Sequence, residues 1–501
     1  MKITQKRILR DYNKIKELAF CEVAAGNWDK ACDYIRWAAS FMYNCNVVYS
    51  DRQLEDAITA IANGIVLHKE EQVSSSDDIR LHRERRIAFY DYFAIDNRGL
   101  TEQYIDAFGR LGYNVLFVIR NEESASSHEI FKKIRGNNNF SIYITREGGG
   151  ASLIREITET LLGYMPTDLL VHTSPWDVEG LCSCQSMAGK CTRYLSNITD
   201  HAFWLGVKSF DYFLEFRDYG CNISQRYRGI EADRDIKMPY FPIVNQDIEF
   251  AGFPFDMNGK KLVVSGGSIY KIKGSPKFLE IVKHILDHHP DVIFLYLGAG
   301  DHKYLQDFSD KNGYEGRFFH FNERKDIYQV IRHSHLYLNT YPKLGGLMTQ
   351  MACIAGKLPV TLNESNDHFQ DISELLVSNE DVSQMQFSDL DSLLQAADNY
   401  LNHTEVLEQA GEAVRKIVPS PAMFAKMMSD VIKNHKTELV PSYYDVDTER
   451  FAQSYIQQLN VSPSRYRNFF YVRDLKMATQ FIPYYCSMLL NRIKTTVGGR
   501  S

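Results

Sequence analysis

The sequence predicts an α/β protein of two Rossmann-like lobes, with a helical domain before them and a helical tail after. Three observations predict it. From Arg86 onward, short apolar runs alternate with helix-period segments, the pattern of a parallel, doubly wound sheet. The alternation occurs twice, on either side of a stretch containing Pro and Asn, FPIVNQDIEFAGFPFDMNG at 241–259. And 501 residues exceed what a single hydrophobic core organises. The expected divisions are a helical domain at 1–78, a first lobe at 79–245, a second lobe at 246–440 and C-terminal helices at 441–501.

Residues 1 to about 72 read as helices, because Ile8, Leu9, Tyr12, Ile15, Leu18 and Ala19 recur at helical spacing. Gly26-Asn27 end the first helix, and Trp28 to Tyr43 begin another. The phrase AAGNWDKACDYIRWA resembles half of a tetratricopeptide-type hairpin, but no 34-residue period follows it. SSSDD at 74–78 is a polar linker. In the first lobe, strands are expected at 87–95, 113–120, 141–145 and 168–175, with helices at 100–112 and after Ala151. The strand ends then place Asp96–Gly99, Arg146–Gly150 and His172–Trp176 at the functional edge of the sheet. In the second lobe KKLVVSGG, DVIFLYLGAG, RFFHFN, HLYLNTYP and KLPVTLNES are the strand-like runs.

Composition narrows the class. The hydrophobic share of 44% and charged share of 24% are those of a globular chain, and a net charge of -6 with no Arg/Lys-rich block argues against nucleic-acid binding. The N-terminus has no apolar h-region and no run long enough to span a bilayer occurs, so a cytoplasmic protein is expected. Cys182, Cys184 and Cys191 cluster, but the spacing lacks a fourth metal ligand, so reduced structural thiols are expected and no metal.

A diphosphate needs amide donors and positive charge placed against it, and a glycine turn that opens a helix supplies the first. VVSGGSIYKIKGSP offers Gly266, Gly267 and Ser268 at a strand end, with Lys271 and Lys273 just beyond on what reads as an exposed turn. A second pair, Gly345-Gly346, opens the helix after HLYLNTYP, which carries Thr349 and Gln350.

VSGGSIYKIKGSPKFLEIVKHILDHHPDVIFLYLGAG and HSHLYLNTYPKLGGLMTQMACIAGKLPVTLNESNDHFQDISELL resemble the donor lobe of the O-linked N-acetylglucosamine transferases and the bacterial cytoplasmic N-glucosyltransferases. The resemblance covers about 260–380 and implies the GT-B glycosyltransferase architecture over about 86–440. It implies a nucleotide-sugar cosubstrate, with a UDP-sugar favoured, no separate cofactor and no metal. The implied roles lie in glycan biosynthesis and protein glycosylation. Lys271 becomes the lysine that steadies the departing UDP, and Gly266, Gly267, Ser268, Gly345, Gly346, Thr349, Gln350 and Glu364 become the donor-binding set. Glu364 and His368 lie in a loop similar to the one that faces the donor sugar. The related enzymes place a carboxylate for the ribose hydroxyls five residues before the glycine of the AG pair. Met351 stands there, and Gln350 beside it is the candidate substitute.

On the first lobe, RYLSNITDHAFWLGVKSFDYFLEFRDYG places Asp200-His201 before a strand that ends in Arg217 and Asp218. Imidazole, which titrates near neutrality, suits removal of an acceptor proton. His201 is therefore the candidate base, Asp200 its orienting partner or alternative, and His172 a second candidate. A protein, glycan or lipid-linked glycan is the expected acceptor. The aromatic tail NFFYVRDLKMATQFIPYYCSMLLNRIKTTVGGRS either packs back on the first lobe, the favoured reading, or touches a membrane surface, although Pro483 interrupts its apolar face. A non-catalytic partner subunit and a nucleotide-sugar epimerase are the alternatives.

Overall fold

The computed structural model describes residues 2–66, 85–93, 100–120, 128–364, 368–376, 382–470 and 479–482. The 74–78 linker, the loop Asp96–Gly99 and Pro483 lie outside the described residues. Seven strands form the first sheet: β1 (Arg86–Asp91), β2 (Asn114–Ile119), β3 (Phe140–Ile144), β4 (Asp168–His172), β5 (Thr192–Asn197), β6 (Tyr212–Glu215) and β7 (Asp235–Lys237). Six form the second: β8 (Lys261–Gly266), β9 (Val292–Leu297), β10 (Phe318–Phe321), β11 (Leu336–Leu338), β12 (Pro359–Leu362) and β13 (Gln386–Phe387). The strand orders are β3-β2-β1-β4-β5-β6-β7 and β10-β9-β8-β11-β12-β13, with every pair parallel. Both sheets therefore reverse direction once, between β1 and β4 and between β8 and β11, and ligands of such sheets bind at those reversals.

Alternation along the strands sends neighbouring side chains of the first sheet into two separate cores. Ala88, Tyr90, Val171 and Phe213 face one, and Ile87, Phe89, Leu170 and Leu214 face the other. The first core is completed by the N-terminal helices Gln5–Ala24, Trp28–Cys45 and Arg52–Val66, through Ile8, Ile15, Ile35 and Phe41. The helical preface is thus packed on the first lobe as one of its layers. The second core is completed from the far end of the chain by the helix Pro421–Asn434, whose Phe424, Met428 and Ile432 are buried beside Phe89 and Tyr104. Ser420 caps that helix, accepting a hydrogen bond from the Met423 amide at 3.2 Å, and Pro421 stands at its first position.

The tail then returns to the N-terminal helices. The Asn460 amide group bonds both backbone groups of Ile3 at 2.9 Å, and Tyr466 Oη donates to Asp11 at 2.8 Å. Tyr466, Phe470 and Phe481 are buried in the first core, so these tail aromatics are committed to packing. Among the described residues no helix is long and apolar enough to cross a membrane.

Because Met428 is fully buried where the C-terminal helix meets the first sheet, Met428→Ala should destabilise the fold by about 2–5 kcal/mol. Urea denaturation of the full chain checks this.

Candidate active site at the lobe interface

Strand β8 ends in Gly266 and Gly267, the latter at φ 125°, and a short turn Ile269–Lys271 follows. A Cβ at Gly298 would lie 2.0 Å from the Gly267 carbonyl oxygen, and one at Gly266 would lie 2.8 Å from that of Leu297. The Gly267 amide donates to Leu297 O at 2.9 Å. These glycines therefore let two strand ends touch backbone to backbone, and the Gly267 amide is spent there instead of being bared to a phosphate.

Lys271 departs from the exposed position its turn suggests. It is half-buried, and its Nζ donates to Leu344 O at 3.0 Å. Burial, reinforced by the charge of Lys343, pushes its pKa down to about 8. The Gly345-Gly346 pair stands at the β8/β11 reversal and opens the helix Gly346–Ile354. The Gly345 amide donates to Asn339 Oδ1 at 3.2 Å, and the space beside Gly346 is edged by Tyr240 Oη and Leu375. Thr349 is buried, bonded to Gly345 O at 3.1 Å and to the Asn339 side chain at 2.7 Å. Gln350 is buried as well, its Nε2 donating to Tyr240 O at 2.8 Å and Leu375 O at 2.9 Å. The Gln350 amide nitrogen is thus committed to protein carbonyls, while its Oε1, the atom that would accept from a ribose hydroxyl, is buried without a hydrogen-bond partner. Glu364 has one oxygen on Lys277 and the other on Tyr341 Oη, the latter at 2.6 Å. Ser268 lies in the turn next to Lys271, whose amide donates to Ser268 O at 3.0 Å.

Across the interface, Asp200 is buried and both its oxygens are held. Arg217 Nε donates to Oδ2 at 2.5 Å, and His201 Nδ1 lies 3.1 Å from Oδ1. Burial alone would raise the Asp200 carboxyl, but the Arg217 charge and the two hydrogen bonds hold it well below the usual carboxylate range. A carboxylate so held is a weak proton acceptor, and one of its oxygens lies against the imidazole. The His201 side chain is 29% exposed and faces Phe369 at 5.3 Å and Phe451 at 6.3 Å between ring centroids. It is therefore reachable from the cleft.

The other candidates are closed off. His172 is buried at the end of β4, with Nδ1 3.1 Å from Asp91 Oδ1 and an Nε2 that has no hydrogen-bond partner. Its side chain is 1% exposed. At the Arg146–Gly150 turn, Glu179 accepts from the Gly150 amide at 3.0 Å and Asp29 from the Ala151 amide at 2.7 Å. The protein's own carboxylates thus fill the helix N-terminus that an anion would take.

Three tertiary contacts at the interface are not assigned by the sequence. Arg217 Nη1 also donates to Phe369 O at 2.8 Å, so one guanidinium joins the Asp200–His201 pair to the second lobe. Glu374 of the second lobe accepts from the Tyr219 amide at 2.7 Å and from Tyr444 Oη. And the tail helix Thr448–Val461 brings Phe451 and Tyr455 to the cleft, Phe451 lying 5.1 Å from the Phe369 ring. Only Arg217 leaves a trace in the sequence, a charge directly after the apolar run FDYFLEF. Among the described residues, His368, Asp371 and Glu374 form a group with ligand atoms within 4.8 Å of one another. Glu374 is already bonded through both oxygens, and Asp371 Oδ1 accepts from the Ser373 amide at 2.9 Å and hydroxyl at 2.7 Å. An open depression of about 480 Å³ lies elsewhere, between Ala251–Pro254 and Phe321–Arg324, and holds none of these side chains.

Two parallel sheets that meet through the segments after β5, β6 and β7 on one side and after β11 and β12 on the other, crossed by a returning C-terminal helix, define the GT-B fold. Solved structures agree. The O-GlcNAc transferase of Thermobaculum terrenum superposes with a TM-score of 0.52 at 14% identity, over 90% of this chain and 85% of that one. A glycosyltransferase from Rickettsia africae gives 0.53 at 11% identity, over 70% and 98%. HepE of Anabaena, in complex with UDP and glucose, gives 0.51 at 12%, over 70% and 99%. Neither the known protein-family profiles nor the curated protein sequences contain a match to the chain.

Burial raises Glu374 to about 7. Between its ordinary value of 4.5 and about 7 the folded chain therefore binds more protons there than the unfolded chain, and stability falls as pH rises through that window. Glu374→Gln should remove roughly 2–3 kcal/mol of that decline, since each tenfold difference in proton affinity between the two states is worth about 1.4 kcal/mol. Urea midpoints taken from about pH 5 to about pH 7 read it, and an unaltered slope would refute it.

Proposed function

We propose that this chain is a glycosyltransferase that moves a sugar from a UDP-sugar to an acceptor held between the lobes. The observation that supports it best is the pairing across the interface. A lysine with a depressed pKa stands at the strand reversal of one lobe, and an oriented, accessible imidazole stands on the other. The resemblance of the sequence to protein-glycosylating transferases supports a protein or glycan acceptor. The UDP in the HepE structure supports the nucleotide.

In this reading the acceptor heteroatom attacks C1 of the sugar while His201 Nε2 takes its proton. The bond from C1 to the diphosphate oxygen breaks with inversion, and the electron pair leaves on UDP. Lys271 stabilises that charge, and Asp200 balances the imidazolium that forms. A non-catalytic subunit with the same fold is the second reading. Met351 favours it, since no carboxylate stands on that helix position for the ribose.

UDP release from UDP-glucose and UDP-N-acetylglucosamine, with and without cell-extract acceptors, separates the two. Lys271→Ala should lower kcat by roughly 10²–10³-fold. His201→Asn, which keeps a hydrogen bond but takes no proton, should lower it by roughly 10²–10⁴-fold while leaving UDP affinity intact. Transfer at the wild-type rate in the Asn variant would make His201 structural. The lysine also carries a pH signature. A diphosphate favours the ammonium, so UDP binding near pH 8 takes up a proton, and affinity falls as pH rises through about 8. Calorimetry in two buffers of different ionisation enthalpy measures the uptake, and none at this pH would remove Lys271 from the phosphates.

A further inference from the structure

Four lysines surround the glycine turn of the second lobe, and they divide into two kinds. Lys273 is paired with Asp301 at 2.6 Å, and Lys277 with Glu364. Lys271 and Lys343 have no carboxylate partner among the described residues. Lys343 is held close to Lys271 by the backbone: its amide donates to Lys271 O at 3.3 Å, and Lys271 Nζ bonds the carbonyl of the next residue, Leu344. The loop is pinned, because Thr340 Oγ1 donates to Lys343 O at 2.7 Å and Gln370 Oε1 accepts from the Leu344 amide at 2.8 Å. The Lys343 ammonium rests over two aromatic rings, 5.3 Å from Tyr270 and 5.9 Å from Tyr455.

Two half-buried ammonium groups on adjoining turns, with no carboxylate partner among the described residues, are unfavourable. Burial lowers the pKa of each, and the nearby charges of Lys343 on Lys271 and Arg465 on Lys343 add to it. Aromatic faces compensate an ammonium only in part. An anion with two or more negative oxygens between the two side chains would compensate both.

We propose that Lys343 is the second cation of the diphosphate site, held over Tyr270 and Tyr455 until a nucleoside diphosphate draws it onto a phosphate oxygen. This rests on the donor site proposed above and extends it. Tyr455 belongs to the C-terminal helix Thr448–Val461, so the tail furnishes part of the resting place of a donor-binding charge. The paired lysines Lys273 and Lys277 take no part.

Calorimetry on the full chain with two probes, UDP and inorganic pyrophosphate, tests it. Lys343→Gln should weaken both at least tenfold and flatten the salt dependence of binding, while Lys273→Gln should stay within about twofold of wild type. Since Lys343 makes no ion pair among the described residues, Lys343→Gln should not lower the melting temperature of the ligand-free chain, which separates loss of a ligand from loss of structure. Wild-type affinity for UDP in Lys343→Gln, together with weakened binding in Lys271→Ala, overturns the inference and leaves the donor site standing. A wild-type chain that binds neither probe overturns both.

Discussion

The buried guanidinium of Arg217 is the interaction on which the rest of the interface depends. Removing such a charge from water costs several kcal/mol unless its donors are matched. Here Nε meets Asp200, Nη1 meets the Phe369 carbonyl, and the rings of Phe216, Tyr219 and Phe369 stand at 4.9–5.1 Å from it. One partner lies on each lobe, so the charge is matched only when the lobes meet. The orientation of His201 follows from this arrangement, because Asp200 presents one oxygen to the imidazole once the other is claimed.

The distribution of the remaining charges distinguishes the lobes. The first lobe has a glycine-rich turn at the head of a helix, and it is closed by Asp29 and Glu179, so an anion has no place there. In the second lobe the equivalent region has two lysines without a carboxylate partner among the described residues, while their neighbours are neutralised in pairs. The same local motif, a strand ending in glycine before a helix, thus carries opposite electrostatic meanings. Side chains contributed from distant parts of the chain decide which.

The two lobes are legible in the sequence because parallel strands buried on both faces leave continuous apolar runs, as in VIFLYL of β9. β5 and the short strands β7 and β13 are not. β5 reads TRYLSN, with polar residues at both ends, and the other two span three and two residues. In the site, Lys271 and the Asp200–His201 pair stand out because their chemistry is local to a strand end. The burial of Thr349 and Gln350 is not legible, since spacing along a helix does not say which face is covered, and the Gln350 amide nitrogen meets the Tyr240 and Leu375 carbonyls. Glu374, Phe451 and Tyr455 reach the cleft by tertiary contact alone, which no local pattern encodes. The glycine pair at 266–267 suggests a function that its amides do not all serve, because close backbone approach leaves the same signature as phosphate approach.

The first sheet is sealed on one face by Pro421–Asn434 and on the other by a layer that includes Tyr466 and Phe470, so the second lobe is in effect inserted between two halves of the first. During synthesis the ribosome must deliver residues 260–415 before it delivers the segments that close the first sheet. The second lobe has its own core and can fold while that sheet still waits for its cover. The order of emergence therefore makes the N-terminal half the last part of the molecule to become stable, although it is the first to be made.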